Sequence, residues 1–207
     1  MVLSRRAAAG LRSRAGPNAG PAVCDGEGAG GQGFTPRWQG IRISISLDRF
    51  ISLARFGPNR FYLWGCAAYH ERRYAEAEEG WTNALRHYRD LATRDPDAYR
   101  PHVAGTLNNL ALLYSATGRL AEAEKAYDEA LTIYRDLATR DPGAYRPYFA
   151  TTLNNLANLY SATGRLAEAE KAYDEALTIY RDLATRNPAV YVSKVKAVTD
   201  ALAKFRK

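Results

Sequence analysis

Cysteine is nearly absent from this chain, and that scarcity narrows the possibilities first. Only Cys24 and Cys66 occur, in unlike contexts and without a CxxC pair. A zinc ribbon and a disulfide-dense scaffold are both excluded. The three histidines, His70, His87 and His102, have no metal-ligand spacing. No metal and no cofactor is expected. No uncharged apolar run approaches the ~20 residues of a membrane helix. The nearest candidate, Ile41 to Phe56, is interrupted by Arg42, Asp48, Arg49 and Arg55. A cytoplasmic setting without membrane association is therefore expected. HExxH, GxSxG and a phosphate-binding GK[ST] loop are all missing, so no catalytic residue is assigned. Gly26-Glu27-Gly28-Ala29-Gly30-Gly31 formally fits GxGxxG. No strand precedes it and no helix follows, so it reads as chance in a glycine-rich stretch.

What is present divides into unlike parts. The net charge of +7 is concentrated at the N-terminus, where residues 1–57 hold eight Arg against three acids. Residues 58–207 hold 21 basic and 19 acidic residues, a net of only +2. Nucleic-acid binding would need a charged folded face. The arginines at 5, 6, 12 and 14 also lack the interleaved aromatics that stack on bases. Nucleic acid is thus not the expected partner, and association through the basic tail is kept only as an alternative. Residues 1–40 are Gly/Ala/Arg-rich without periodicity and are expected to be disordered. Residues 41–57 form an apolar arm. Its first part alternates Ile41, Ile43, Ile45 and Leu47 with polar residues, a strand pattern with no obvious partner.

The rest is organised by self-similarity. AEAEKAYDEALTIYRDLATR at Ala121–Arg140 recurs unchanged at Ala167–Arg186, and TLNNLA at Thr106 recurs at Thr152. The step is 46 residues in both cases. A diverged copy lies one step earlier, with AEAE at Ala75 and YRDLATR at Tyr88. Pro96, Pro142 and Pro188 keep the same step, as do Tyr99, Tyr145 and Tyr191. Each unit reads as two amphipathic helices. Leu107, Leu110, Ala111 and Tyr114 make one apolar face, and Leu120, Ala123, Tyr127, Ala130, Leu131 and Tyr134 the other. Gly118 suits the left-handed residue between them. The long period reads as a longer second helix plus an insert around ATRDPxAYRP, where Asp141-Pro142 stops one helix and is also a start signal for the next. Two such helices leave apolar surface on both sides, so the units must stack.

The positions Leu107, Leu110, Ala111, Tyr114, Gly118, Ala123, Tyr127 and Ala130 resemble the tetratricopeptide repeat. So do Leu153, Leu156, Ala157, Tyr160, Gly164, Ala169, Tyr173 and Ala176. Phe61, Trp64, Gly65, Ala77, Trp81 and Ala84 match more loosely, with Arg72 where glycine is expected. The LNNLA opening and long period are similar to the kinesin-light-chain-like subclass and its bacterial relatives. The resemblance implies an all-α, right-handed α-solenoid of antiparallel helix pairs. Three repeats would occupy 58–187 and a C-terminal capping helix 188–207.

It also implies a non-enzymatic scaffold that binds a protein or peptide in a concave groove lined by the first helices. No small-molecule substrate is expected. The groove residues would be Gly105, Asn109, Leu112 and Ala116, with Thr151, Asn155, Asn158 and Ala162 in the next unit. The first unit would offer Asn59, Leu63, Cys66 and His70. Asn109 and Asn155 would hydrogen-bond a peptide main chain, since an amide both donates and accepts. The Lys/Arg pair that would clamp a terminal carboxylate is missing. With two such rungs the affinity should be about micromolar. The alternative is a fragment or regulatory module of a larger signalling assembly.

Overall fold

A computed structural model describes residues 58–205. Within them lie seven helices and no strand: α1 (Asn59–His70), α2 (Tyr74–Ala92), α3 (Pro96–Ala116), α4 (Leu120–Arg140), α5 (Pro142–Ala162), α6 (Leu166–Arg186) and α7 (Pro188–Phe205). Each helix packs on its sequence neighbours, and α3 also touches α5. The architecture is an all-α solenoid. The expected disordered tail and apolar arm, residues 1–57, lie outside the described residues.

The expected insert is corrected. Helices α3 to α6 are 21 residues long each, and α4 and α5 are separated by Asp141 alone. The extra residues of the long period are therefore helical, because Asp-Pro works here as a start signal. The Asp95 and Asp141 carboxylates accept from the amides of Ala98 and Ala144 at 3.1 and 3.0 Å. Proline follows at the first helical position, where its missing N–H costs nothing. Pro101 and Pro147 also lie inside helices, early enough that the bonds they forgo belong to the first turns.

Three copies of one wedge hold the helix pairs together. Ala111 and Ala126 let α3 and α4 approach, and the wholly buried Tyr127 fills the space beside them. Ala157, Ala172 and Tyr173 repeat this in the third unit. In the first unit the wedge is Trp81, a larger ring, and both small positions shrink to glycine. A Cβ on Gly65 would stand 2.5 Å from Trp81 Cδ1, and one on Gly80 would stand 2.8 Å from the Gly65 nitrogen. The volume added by indole is thus matched by the methyl groups removed.

The turn inside each unit needs a left-handed residue. Gly118 and Gly164 supply it at φ 78° and 77°. Arg72 holds the same place at φ 59°, the sole non-glycine residue with positive φ among those described. Its Cβ crowds the neighbouring carbonyl, a strain of about 1 kcal/mol.

Three outcomes are expected in thermal melts. Arg72→Gly raises stability by roughly 0.5–1 kcal/mol, since strain is relieved and no described side-chain bond is lost. Gly65→Ala lowers it by about 1–3 kcal/mol through overpacking against the indole. Trp81→Tyr in the Gly65→Ala background recovers most of that loss, because it recreates the Ala/Tyr pairing of the other units. If the double variant were as unstable as Gly65→Ala alone, the volume match would be refuted.

Candidate peptide-binding face

The odd-numbered helices form one face of the stack, and polar ladders join them. The second asparagine of each LNNLA motif reaches back to the preceding unit. Asn109 Nδ2 donates to the Tyr62 hydroxyl at 2.9 Å, and Asn155 Nδ2 donates to Asn108 Oδ1 at 3.3 Å. Tyr62 and Asn108 are themselves one repeat apart, so these are two rungs of a single ladder. The even helices add a second set. The Tyr88 hydroxyl donates to Asn59 Oδ1 at 2.5 Å, and the Tyr180 and Thr151 hydroxyls are 3.0 Å apart. In the third unit the Tyr173 hydroxyl donates to Asn158 Oδ1 at 2.5 Å.

These bonds correct part of the sequence reading. Asn109 exposes 0% of its surface, and Gly105 is also buried, so neither offers an open groove surface. Asn155, Thr151 and Leu112 are half-buried, while Asn158, Ala116 and Ala162 are exposed. In the first unit Cys66 is buried, Leu63 is half-buried, and Asn59 and His70 are exposed. Sequence reasoning treated each asparagine alone. The signal it missed was the offset of 47 between Asn109 and Tyr62, and between Asn155 and Asn108. An offset one larger than the period marks a bond between adjacent first helices.

Charge lies elsewhere. Arg119 spans Glu78 of the previous unit at 2.7 Å and Glu122 of its own helix at 2.5 Å, and sits 4.2 Å over the Tyr114 ring. Arg165 repeats the clasp with Glu124, Glu168 and the Tyr160 ring. The arginines hold the Glu122 and Glu168 carboxyls below their ordinary range through direct hydrogen bonds. Burial, followed by the neighbouring Glu124 charge, pushes the Tyr160 phenol up to about 12. Arg100–Asp136 and Arg146–Asp182, at 2.5 Å, join the two helices within the second and third units. These pairs are solvent-accessible and individually worth little. Their repetition fixes the stacking register.

On the even side the second inter-unit junction differs from the first. Arg89 and Glu129 close the first with a 2.5 Å ion pair. Their counterparts Arg135 and Glu175 instead line a shallow cavity of about 380 Å³, with Arg135 5.4 Å over Phe149. Phe149 stands where the first junction has Val103, and the ring draws the guanidinium aside.

The class defined by this architecture is an α-helical solenoid of helix hairpins. Residues 103–141 and 149–184 match the tetratricopeptide repeat family model. Among solved structures, BtubC (BKLC) from P. vanneervenii is similar in fold, with a TM-score of 0.52 at 22% identity. The match covers 72% of this chain and 63% of that one. No curated protein matches the chain. No helix among the described residues is long and apolar enough to cross a membrane.

One titrating group is built into the stack. His102 is stacked on Tyr88 at 4.9 Å, where the next unit has Tyr148 on Tyr134 at 5.8 Å. Burial holds the His102 imidazole below its ordinary value of 6.5. As pH falls, the unfolded chain takes up that proton before the folded one. Stability is then full above about pH 6.5 and declines as pH drops below it. His102→Tyr should flatten the melting temperature between pH 7.5 and 5.5 relative to wild type. Parallel pH profiles for the two chains would show that His102 contributes nothing.

Proposed function

We propose that the chain is a non-enzymatic scaffold whose odd-helix face, concave in the tetratricopeptide fold, receives a protein or peptide partner. The observation carrying this reading is the chemistry of the row that runs across it. Positions 59, 63, 66 and 70, their counterparts 105, 109, 112 and 116, and 151, 155, 158 and 162 hold no Asp, Glu, Lys or Arg. The surrounding surface is dense with ion pairs. A row of small, amide and aliphatic groups costs little to desolvate and suits an extended, uncharged peptide segment. Its accessible part is Leu112, Ala116, Asn155, Asn158 and Ala162. Ala116 and Ala162 end their helices, leaving open floor at one end of the row.

The test uses the full chain beside an Ala116→Arg/Ala162→Arg variant. Arginine near a helix C-terminus is compatible with the helix dipole, so helicity and melting should be unchanged. Partners retained from native lysate by wild type should be lost, or bound about tenfold more weakly, by the variant. Equal retention of the same partner by both would place binding on another face.

A further inference from the structure

The cavity of about 380 Å³ at the junction of the second and third units lies among α4, α5 and α6. Its size is at the small end of the roughly 300–1,000 Å³ of ligand sites. Ala138, Phe149 and Ile179 give it an apolar lining, and the last two are buried. Its polar groups are not equivalent. Arg146 is already held by Asp182 at 2.5 Å. The Thr139 and Thr178 hydroxyls donate to the carbonyls of Asp136 and Asp174 at 2.6 and 2.9 Å, so toward a ligand they can only accept.

Arg135 and Glu175 are the open pair. The same two positions one repeat earlier, Arg89 and Glu129, close on each other at 2.5 Å. Arg135 instead stands over the Phe149 ring. An arginine on a ring uses the flat face of its guanidinium, and the in-plane fork of N–H donors stays open to a carboxylate. Across the cavity, Glu175 and Thr178 are three residues apart on α6 and so share one helix face. A carboxylate beside a hydroxyl acceptor suits an ammonium.

Charge balance then selects the ligand. Arg135 and Glu175 sum to zero. A simple anion would meet the Glu175 charge, and a simple cation would meet Arg135. A molecule that carries both charges satisfies both walls. Side chains at these two positions reach each other directly in the first junction, so one short zwitterion is enough to bridge them here.

We propose that this cavity binds a free α-amino acid with an aliphatic side chain. Its carboxylate lies on the Arg135 guanidinium, its ammonium on Glu175 and Thr178, and its side chain against Ala138, Phe149 and Ile179. The site is separate from the odd-helix row and does not depend on what that row receives.

Calorimetric titration of the full chain with L-leucine tests this. One molecule should bind per chain with a Kd of about 1 mM, weak because the cavity is shallow and its charges stay hydrated. Isocaproate lacks the ammonium and isoamylamine lacks the carboxylate, and each should bind at least about tenfold more weakly. Glu175→Gln changes an exposed side chain and should melt as wild type does. It should weaken leucine about tenfold and abolish the preference for leucine over isocaproate. Phe149→Val restores the residue of the first junction, lets Arg135 close on Glu175 and should remove binding. Absence of saturable heat at about 10 mM leucine, ten times the expected Kd, would overturn the proposal. So would equal binding of the three ligands, or wild-type affinity in either variant.

Discussion

Everything in this molecule depends on how closely two helices of a unit can approach. Small residues permit the approach, and one aromatic ring from the second helix fills what is left. Ala111 and Ala126 with Tyr127 define the distance in the middle unit, and Gly65 and Gly80 with Trp81 reach the same end with a bigger ring. Interiors at crystal-like density tolerate no loose volume, so wedge and floor have to change together. Once the pair is closed, its outer surfaces are still apolar. Each unit then requires a neighbour, and the solenoid follows.

Stacking recruits polar groups in two distinct ways. Exposed arginines bridge glutamates of adjacent units on the even-helix side, where solvent screens each pair and only the repeated pattern matters. On the odd-helix side the bridges are neutral amides and hydroxyls that are buried or half-buried. Neutral groups can be buried at modest cost when bonded, whereas buried charges cannot. This division leaves the row of positions 105, 109, 112 and 116, with its counterparts in the other units, free of Asp, Glu, Lys and Arg. The same construction exposes its own exception at Gly105, where the repeated tyrosine finds no side chain to bond.

Much of the fold was legible in the residues. The step of 46, the apolar faces and the glycines at 118 and 164 follow from local rules: helical period, capping and left-handed backbone. The longer second helix and the Asp-Pro start signal were legible, but the insert expected around ATRDPxAYRP is itself helical on both sides of one aspartate. Preceded by aspartate, proline starts a helix, and two 21-residue helices meet with one residue between them. Arg72 could be recognised as misplaced, but not that it would keep the positive φ of glycine. The turn is closed there by backbone bonds, the Arg72 and Arg73 amides donating to the carbonyls of Tyr69 and Ala68.

The candidate face was legible only in outline. The sequence by itself determined which side chains recur along the row of positions 105, 109, 112 and 116, and that none of them or their counterparts is Asp, Glu, Lys or Arg. Those are properties of residue type and spacing. Whether a given asparagine is open or occupied was decided by tertiary structure alone. Asn109 and Asn155 share a motif, yet one is wholly buried against Tyr62 and the other is half-buried beside Asn108. The difference arises because exposure and hydrogen bonding belong to pairs of helices from neighbouring units, and the repeat pattern of one chain segment does not specify the residue it will face.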